Sequence, residues 1–413
     1  MPDSPSSLHP DAALRLRLHQ FRCHAELELQ LPPGRNFFFG ANGNGKTTVL
    51  EALYYISRLR SFRTALPREL AAHGAHLFRV EAETHLHDAA DVDGIGDTES
   101  LCSTWEHGSR SLLLNGQTPK LAEFWGRLPT VLFEDGDREI VTGPGAGRRA
   151  WVDGLIAQRD PSYVTLAQRY ARALKQRNAW LKSHHHHGLG GASAEVGASL
   201  TQHLTDLGIA VTEKRAALSA ELNMLWPTAL AQMNVPAALA SVAVSGRGNA
   251  SSDSPEFCGI VYEPSFELKP AEDVAGAQLS GLKAAAPDWD SAAASEHRQQ
   301  TTILGPHRDD WRLLLGGKPL GRYGSEGQQR AGALALRLAE AELIRRKRHR
   351  WPVFLMDDVT PQLDDARRAA LEAQLPADAL LLITSPEDRG WARPGRGDAV
   401  WHISPGRAEL RLG

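Results

Sequence analysis

The stretch GANGNGKT, Gly40–Thr47, decides the fold of this chain. It matches the phosphate-cradle pattern GxxxxGK[ST] at every fixed position. The apolar run from Asn36 to Phe39 predicts a strand before it, and the stretch from Thr47 to Ser57 predicts a helix after it. A glycine loop between a buried strand and a helix N-terminus binds nucleotide phosphates. The sequence therefore predicts an α/β nucleotide-binding domain.

The cradle residues have distinct expected tasks. Glycines let successive backbone N–H groups turn inward around a phosphate, and the helix N-terminus adds a partial positive charge. Lys46 is expected to span the β- and γ-phosphates, and Thr47 to hold Mg²⁺. The residues expected to bind ATP in this loop are Gly40, Ala41, Asn42, Gly43, Asn44, Gly45, Lys46, Thr47 and Thr48.

Composition limits the class of protein. The chain has 413 residues, of which 42% are hydrophobic and 23% charged, as expected for a globular protein of two or three domains. No apolar run reaches about 18 residues, so a membrane role is not expected. Three scattered cysteines suit a reducing cytoplasm, which is the predicted location. With a net charge of −3, any nucleic-acid contact must come from local basic patches.

Periodicity divides the chain into three predicted regions: 1–132, 133–299 and 300–413. The first is strand-rich and carries the cradle, the second contains a helical lobe over about 151–226, and strand patterns return in the third. The third region should rejoin the first, which makes the lobe an insertion. Three stretches rich in small residues are expected to be exposed loops: HHHHGLGGASAEVGAS (184–199), SGRGNASSDSP (245–255) and GLKAAAPDWDSAAAS (281–295).

The stretch SEGQQ, Ser325–Gln329, predicts a helix start. Ser325 and Gln328 fit an S-x-x-Q capping box before a helix expected to run to about Arg345. Its serine hydroxyl, free N–H groups and Gly327 suit an anion such as a γ-phosphate. A capping box is also an ordinary helix start, so both interpretations stay open at this point.

The stretch WPVFLMDD predicts a buried strand, Val353–Met356, that ends in two aspartates. Ligands bind at the carboxyl ends of strands in such sheets. Asp357 is the expected Mg²⁺ carboxylate, and Asp358 is expected to polarise the attacking water or merely to carry charge toward it. A second predicted strand, ALLLITS, ends in Thr384 and Ser385, whose hydroxyls could contact the γ-phosphate. Solvated acids before a turn are the alternative.

Beyond the cradle, a series of further stretches resembles the RecF family of ABC-type ATPase heads. They are LRLHQFRCHAELEL, LEALYYISRLRSFRT, RRAWVDGLI, ALKQRNAWLK, TTILGPHRDDW, SEGQQRAGALALRLAEAELI and MDDVTPQLDD, in order along the chain. The run GPHRDD upstream of an SxGQQR helix is more specific than the cradle. The resemblance implies a mixed-sheet ABC-type P-loop ATPase head with an inserted helical lobe and no long coiled coil.

The same resemblance implies a function. Members bind ATP and Mg²⁺ and dimerise head to tail, so Ser325, Gly327 and Gln328 of one copy would close on the nucleotide held by Lys46 of the other. Lys46, Asp358 and Ser325 are the expected catalytic residues of a weak, DNA-stimulated ATPase, and Asp364 matches the D-loop aspartate. The expected partners are double-stranded DNA and gap junctions, recognised without base specificity, and the RecO and RecR mediators, which help load recombinase.

Two features depart from the family pattern. Thr360, Pro361 and Gln362 stand where the family has other residues before the D-loop aspartate. The run His184–His187 is particular to this chain and lies in a predicted loop without a neighbouring carboxylate or cysteine, so a structural loop is favoured over a transition-metal site.

Two basic clusters are candidate DNA contacts. Arg58, Arg60, Arg63 and Arg68 follow the cradle helix, and this cluster is favoured over Arg345–Arg350, whose charges also suit a helix C-terminus. Arg308 is expected either to pair with Asp309 or Asp310 or to have a functional role.

Two other classes stay open, the nucleotide-binding subunit of an ABC transporter and a P-loop metabolite kinase. The inserted helical lobe, the GPHRDD run and the SEGQQ motif argue against the transporter. A kinase would have no use for a capped SEGQQ helix or for an ATP-dependent dimer. A long-armed SMC-type protein is excluded because the interval from cradle to SEGQQ is too short and too broken by Gly, Pro and Ser for a heptad array.

Overall fold

The computed structural model of the protein describes residues 13–41, 43–84, 98–183, 191–233, 257–270, 282–359, 363–386, 392–393 and 397–411. The chain forms two compact units, one of Met1–Asp137 with Arg337–Gly413, the other of Arg138–Leu336. The sequence predicted boundaries at 132/133 and 299/300. In the structure, residues 300–336 belong to the second unit and not to the unit that contains the C-terminal region. The functional assignment of the regions 1–132, 133–299 and 300–413 stays a prediction.

Among its described residues, the first unit contains two β-sheets. One is antiparallel with strand order β2-β1-β4-β5-β6, and the other is mostly parallel with order β16-β15-β3-β14-β13-β7. The strands are β1 (Leu14–Phe21), β2 (His24–Leu31), β3 (Arg35–Phe39), β4 (Leu77–Thr84), β5 (Glu99–Glu106), β6 (Ser109–Leu114), β7 (Thr130–Phe133), β13 (Val353–Met356), β14 (Leu381–Thr384), β15 (Ala399–Ser404) and β16 (Arg407–Arg411).

Helix α1 (Lys46–Arg58) is buried along almost its whole length, and Thr47 alone of its 13 residues is not. It packs in one apolar cluster with leucines of β1 and with Leu355 and Leu382 of the parallel sheet. A helix covered by sheets needs apolar residues around most of its circumference, which VLEALYYI supplies. The predicted helix after the cradle is confirmed. The unit also contains α2 (Leu121–Phe124) and α10 (Asp365–Gln374).

The parallel sheet brings the predicted motifs to one edge. Strand β14 lies between β3, which precedes the cradle, and β13, which precedes the two aspartates. All three run in the same direction, so their carboxyl ends meet. The predicted strands over 36–39, 353–356 and in ALLLITS are confirmed.

The second unit is mainly helical. Its helices are α3 (Arg138–Thr142), α4 (Gly145–Arg159), α5 (Ser162–Ser183), α6 (Gly191–Gln232), α7 (Trp289–Gln299) and α8 (Leu320–Tyr323). Its strands are β8 (Gly259–Glu263), β9 (Leu268–Pro270), β10 (Leu282–Ala284), β11 (Asp310–Leu315) and β12 (Lys318–Pro319). Helix α9 (Glu326–Arg348) begins in this unit, and its last residues belong to the first unit.

Two of the three predicted loops are wrong in the parts that the structure describes. The stretch 281–295 contains β10 and the start of α7, because Asp288 caps that helix by accepting from Asp290 N and Ser291 N and because its alanines favour helix. The stretch from Gly191 to residue 199 begins α6. Residues 184–190, including His184–His187, and 245–255 lie outside the described residues.

Candidate nucleotide-binding site

The cradle has the backbone of a phosphate-binding loop. Gly40 and Gly45 have φ angles of 145° and 93°, a region that L side chains rarely adopt. At Gly45 a Cβ atom would also lie 2.8 Å from the Sγ of Cys23, so only glycine fits. Asn44 N donates to Ala41 O over 3.3 Å and tightens the loop. Asn42, predicted to contact ATP, lies outside the described residues.

Lys46 is buried and points back along the cradle. Its Nζ donates to Gly40 O at 2.7 Å and to Ala41 O at 3.2 Å. Neutral carbonyls are weaker partners for an ammonium than a phosphate is. The side chain is therefore already inside the loop and held by contacts that an anion can replace.

Asp357 lies between hydroxyl groups from two other elements. Its Oδ1 accepts from Thr47 Oγ1 and from Thr384 Oγ1, both at 2.8 Å. Burial raises the pKa of Asp357 above its ordinary value, against the two hydroxyl donors, which lower it. The structure thus brings the predicted Mg²⁺ ligands Thr47 and Asp357 together, and Thr384 positions the carboxylate.

Asp358 is held differently. Its φ of 47° is unusual for a residue with a side chain. Its backbone N donates to Thr384 Oγ1 at 3.0 Å, whereas its buried Oδ1 has no hydrogen-bond partner among the described residues. The side chain lines a cavity of about 610 Å³ together with Lys46 and Thr47. An acceptor left open beside the cradle suits the role predicted for Asp358.

Sequence reasoning missed part of this cavity. Arg22, Cys23 and His73 also line it, as does Arg63, which was predicted above as a candidate DNA contact. The fully buried Glu51 of α1 accepts from Arg22 Nη2 at 2.6 Å and from Ser61 Oγ at 2.5 Å. A glutamate within an apolar helix, followed ten residues later by serine, gave no local signal because its partners are distant in sequence.

The SEGQQ helix start forms as predicted. Ser325 N donates to Gln328 Oε1 at 2.8 Å, and Gln328 N donates to Ser325 Oγ at 3.3 Å. Ser325 and Gln328 thus make a reciprocal capping box, which is confirmed. Ser325, Gly327 and Gln328 belong to the second unit and the cradle to the first. Their role toward a nucleotide stays a prediction.

Asp364 caps α10 by accepting from Arg367 N at 2.8 Å. Its assignment as a D-loop aspartate stays a prediction, and Thr360, Pro361 and Gln362 lie outside the described residues.

The basic clusters differ from expectation at Arg58. Arg58 is buried and pairs with Glu340 at 2.7 Å, so its prediction as a surface contact is wrong. Arg345 and Arg346 both pair with Glu342, as helix-end residues do. Arg60, Arg63 and Arg68 are exposed.

Arg308 pairs with neither neighbouring aspartate. Asp309 pairs with Arg215 at 2.8 Å and Asp310 with Arg148 at 2.7 Å, and Arg308 is exposed. The predicted pairing of Arg308 with Asp309 or Asp310 is wrong.

Within the described ranges, every helix is too short or too polar to span a membrane. The same residues contain no cluster of three or more His, Cys, Asp or Glu side chains able to hold a metal ion.

The geometry above defines a class, a P-loop ATPase head with a mixed sheet and an inserted helical lobe. The sequence model of the RecF/RecN/SMC N terminal domain matches residues 13–385. Solved structures of the recombination mediator protein RecF in the RecFOR pathway have the same fold. The structure described as RecF-ATP has a TM-score of 0.77 and 22% sequence identity, and the match covers 98% of this chain and 100% of that one. The structure described as RecF-ATPrS has a TM-score of 0.75 and 22% sequence identity, and the match covers 97% of this chain and 99% of that one.

Named relatives identify the particular family. The DNA replication and repair protein RecF of Herpetosiphon aurantiacus is 33% identical over 86% of this chain and 88% of its own length. That of Synechococcus sp. (strain JA-3-3Ab) is 32% identical over 94% and 92%. The chain belongs to the RecF family of DNA replication and repair proteins, which favours that class over a transporter subunit or a metabolite kinase.

Proposed function

We propose that the protein is an ATP-dependent DNA-binding protein of recombinational repair at single-strand gaps. In this proposal ATP closes two copies head to tail, slow DNA-stimulated hydrolysis reopens them, and the dimer helps load recombinase with RecO and RecR. The proposal assigns the protein to the cytoplasm. Its main support is that Lys46 and Thr47 of the cradle share one edge of the sheet with Asp357 and Asp358.

The residues at this edge fit Mg²⁺. The ion prefers oxygen ligands and takes only one or two from protein, with phosphates and water completing its shell. Thr47 Oγ1 and Asp357 Oδ1 are 2.8 Å apart, so they can both contact one ion. When bound there, Mg²⁺ would neutralise charge on the β- and γ-phosphate oxygens.

The protein groups then have separate tasks. Lys46 exchanges the carbonyls of Gly40 and Ala41 for phosphate oxygens, because a charged acceptor binds an ammonium more strongly. Thr384 holds Asp357 as the carboxylate. Asp358, which lines the same cavity as Lys46 and Thr47, orients the attacking water and accepts its proton.

The second half of the proposed site comes from another copy. The N-terminus of α9 carries a serine hydroxyl and free N–H groups, and Gly327 permits close approach. In the dimer, Ser325, Gly327 and Gln328 of one copy contact the γ-phosphate held by Lys46 of the other. This explains why a well-formed cap coincides with a motif shared by the family.

The test measures sedimentation and retention of gapped duplex DNA with ATP and with ADP. Lys46→Arg is expected to keep nucleotide but to lose about 100-fold in hydrolysis, because the planar guanidinium cannot take the place of the ammonium in the cradle. Ser325→Arg is expected to bind ATP yet stay monomeric, because its bulk and charge obstruct the partner's cradle.

Ser162→Arg is the matched control, an exposed serine at the start of α5 that receives the same replacement. It should dimerise as the unmodified protein does. ATP-dependent dimers of Ser325→Arg, at the same protein concentration, would show that the shared-site proposal is wrong.

A further inference from the structure

Two stretches quoted for the family resemblance have no task in the nucleotide site. They are GPHRDD, Gly305–Asp310, and RRAWVDGLI, Arg148–Ile156. Both lie in the second unit, and the structure brings them into contact. What they build is a short 3₁₀ turn, Pro306–Arg308, that leads into β11.

The start of this turn is fixed by close packing. Gly305 has a φ of 131°, and a Cβ atom there would lie 2.5 Å from the hydroxyl of Tyr170. His307 lies between two partners, with Nδ1 2.8 Å from Tyr170 Oη and Nε2 3.0 Å from Thr302 O. Glycine and histidine are therefore needed here for the shape of the turn.

The buried Asp309 anchors the end of the turn. Its carboxylate accepts from Arg215 Nη1 at 2.8 Å, from Tyr262 Oη at 2.5 Å and from Ser265 N at 2.8 Å. Arg215 Nη1 also donates to Pro306 O at 2.6 Å, so one guanidinium ties both ends of the turn together. A fully satisfied buried network of this kind holds a single conformation.

Two arginines near the start of α4 also hold the GPHRDD turn in place. Arg148 donates from Nε and Nη2 to both oxygens of Asp310, at 2.7 and 2.9 Å. Arg149 Nη1 donates to Asp309 O at 2.7 Å. Every position of GPHRDD except one is thus held in place by contacts inside the second unit.

The exception is Arg308. Its side chain is exposed, and it makes no hydrogen bond or ion pair with any residue that the structure describes. The acids next to it cannot neutralise it, because Asp309 and Asp310 already have arginine partners. Arg149 is a second cation close to the turn. Both arginines act on His307: burial lowers the pKa of this histidine, and the positive charges of Arg308 and Arg149 lower it further.

We propose that the GPHRDD turn is a rigid mount that presents Arg308, with Arg149 beside it, to a phosphate of the DNA backbone. This inference rests on the proposed function, because it assumes that the protein binds DNA. A guanidinium binds phosphate through two parallel hydrogen bonds, and a fixed backbone reduces the entropy lost on binding. A phosphate contact positions the duplex without selecting sequence.

The experiment measures binding of a gapped duplex by fluorescence anisotropy, with ATP present, over a series of salt concentrations. For Arg308→Ala the slope of log K against log salt should become shallower by about 0.9, the value for one phosphate contact. At 0.1 M salt this corresponds to an affinity about 8-fold weaker, relative to a 1 M reference. Arg308→Lys keeps the charge and should restore the slope.

Lys182→Ala is the control. Lys182 is an exposed cation of the same unit and lies about 18 Å along α5 from Tyr170, which contacts the turn, at 1.5 Å per residue. This variant should keep the slope of the unmodified protein. Because Arg308 is exposed, its replacement should leave the melting temperature unchanged, which separates binding from folding.

Three outcomes would overturn the inference. Equal slopes for Arg308→Ala and Lys182→Ala would remove Arg308 from the DNA contact while leaving the proposed function intact. Loss of ATP-dependent dimers with an unchanged slope would assign Arg308 to a second copy of the chain. Failure of the unmodified protein to bind DNA with ATP would reject the proposed function and the inference together.

Discussion

Two pairs of consecutive aspartates, Asp309–Asp310 in the second unit and Asp357–Asp358 in the first, differ in how many of their acceptors are occupied. In the second unit, Asp309 and Asp310 are surrounded by arginine, tyrosine and backbone donors. In the first unit, Asp357 has two threonine donors, and Asp358 has a buried oxygen without a hydrogen-bond partner in the described part of the chain.

This difference separates scaffold from site. A carboxylate whose lone pairs are all used by protein donors fixes the surrounding backbone and has nothing left for a ligand. A buried carboxylate with unused acceptors is unfavourable in the free protein, and it persists where a bound cation or water can use it. The donors around an acidic pair therefore distinguish the two roles better than the dipeptide itself does.

The strongest test makes the same substitution, aspartate to asparagine, in both pairs. Asp309→Asn should lower the free energy of unfolding by about 2–3 kcal/mol, because it weakens three buried hydrogen bonds to a charged group, while Arg215 keeps Asp153 as a second carboxylate partner. Asp357→Asn should change it by about 1 kcal/mol or less, because the lost hydrogen bonds are offset by relief of a desolvated charge. Urea unfolding at pH 7 measures both.

Binding should show the reverse order. Asp357→Asn should lose Mg²⁺-dependent nucleotide affinity, whereas folded Asp309→Asn should keep it. Similar losses of stability for the two variants would break the distinction between scaffold and site.

A pH series sharpens the comparison. Burial raises the pKa of Asp357 above 3.8, and Mg²⁺ needs the carboxylate, so protons compete with the ion at a higher pH than for an ordinary aspartate. Above the raised pKa the affinity for Mg²⁺ and ATP is full. Below it the affinity should fall by about tenfold per pH unit, or about 1.4 kcal/mol.

Calorimetric titration of Mg²⁺ and ATP at each pH measures this effect. Protons also bind to the nucleotide itself, so the pH dependence is compared with that of Asp357→Asn, which should lack the Asp357 contribution. The same pH dependence in both proteins would show that Asp357 does not hold the ion.

The smallest effect concerns a single donor. Thr384→Val removes the hydroxyl that donates to Asp357 at 2.8 Å and should lower the free energy of unfolding by about 1 kcal/mol. Because this hydroxyl lowers the pKa of Asp357, its loss should raise that pKa. The fall in affinity for Mg²⁺ and ATP on acidification, the acid limb of the pH series, should then begin at a higher pH. An unchanged acid limb would indicate that Thr384 does not control the ionisation of Asp357.

Local patterns predicted much of the first unit and one helix start in the second. The cradle, the strand before Asp357 and the Ser325 capping box depend on residues within a few positions of one another, so they are visible in the sequence. The prediction of an exposed loop over 281–295 was wrong because small residues also form helices when a cap and a packed side chain support them. Asp288 is that cap, and Trp289 is that side chain. Arg58 and Glu51 were misjudged or missed because their partners are distant in sequence.

By itself the sequence determined a P-loop between a strand and a helix and the residues of its cradle, since glycine spacing and apolar periodicity act over a few residues. The RecF type of the ATPase head was indicated by the resemblance of longer stretches to that family. Only the tertiary structure decided which charges are used internally and which stay available. Nothing in the letters DD distinguishes Asp309 from Asp358. The difference arises because folding brings Arg215 and Tyr262, distant in sequence, against Asp309, while a buried oxygen of Asp358 is left without a hydrogen-bond partner among the described residues.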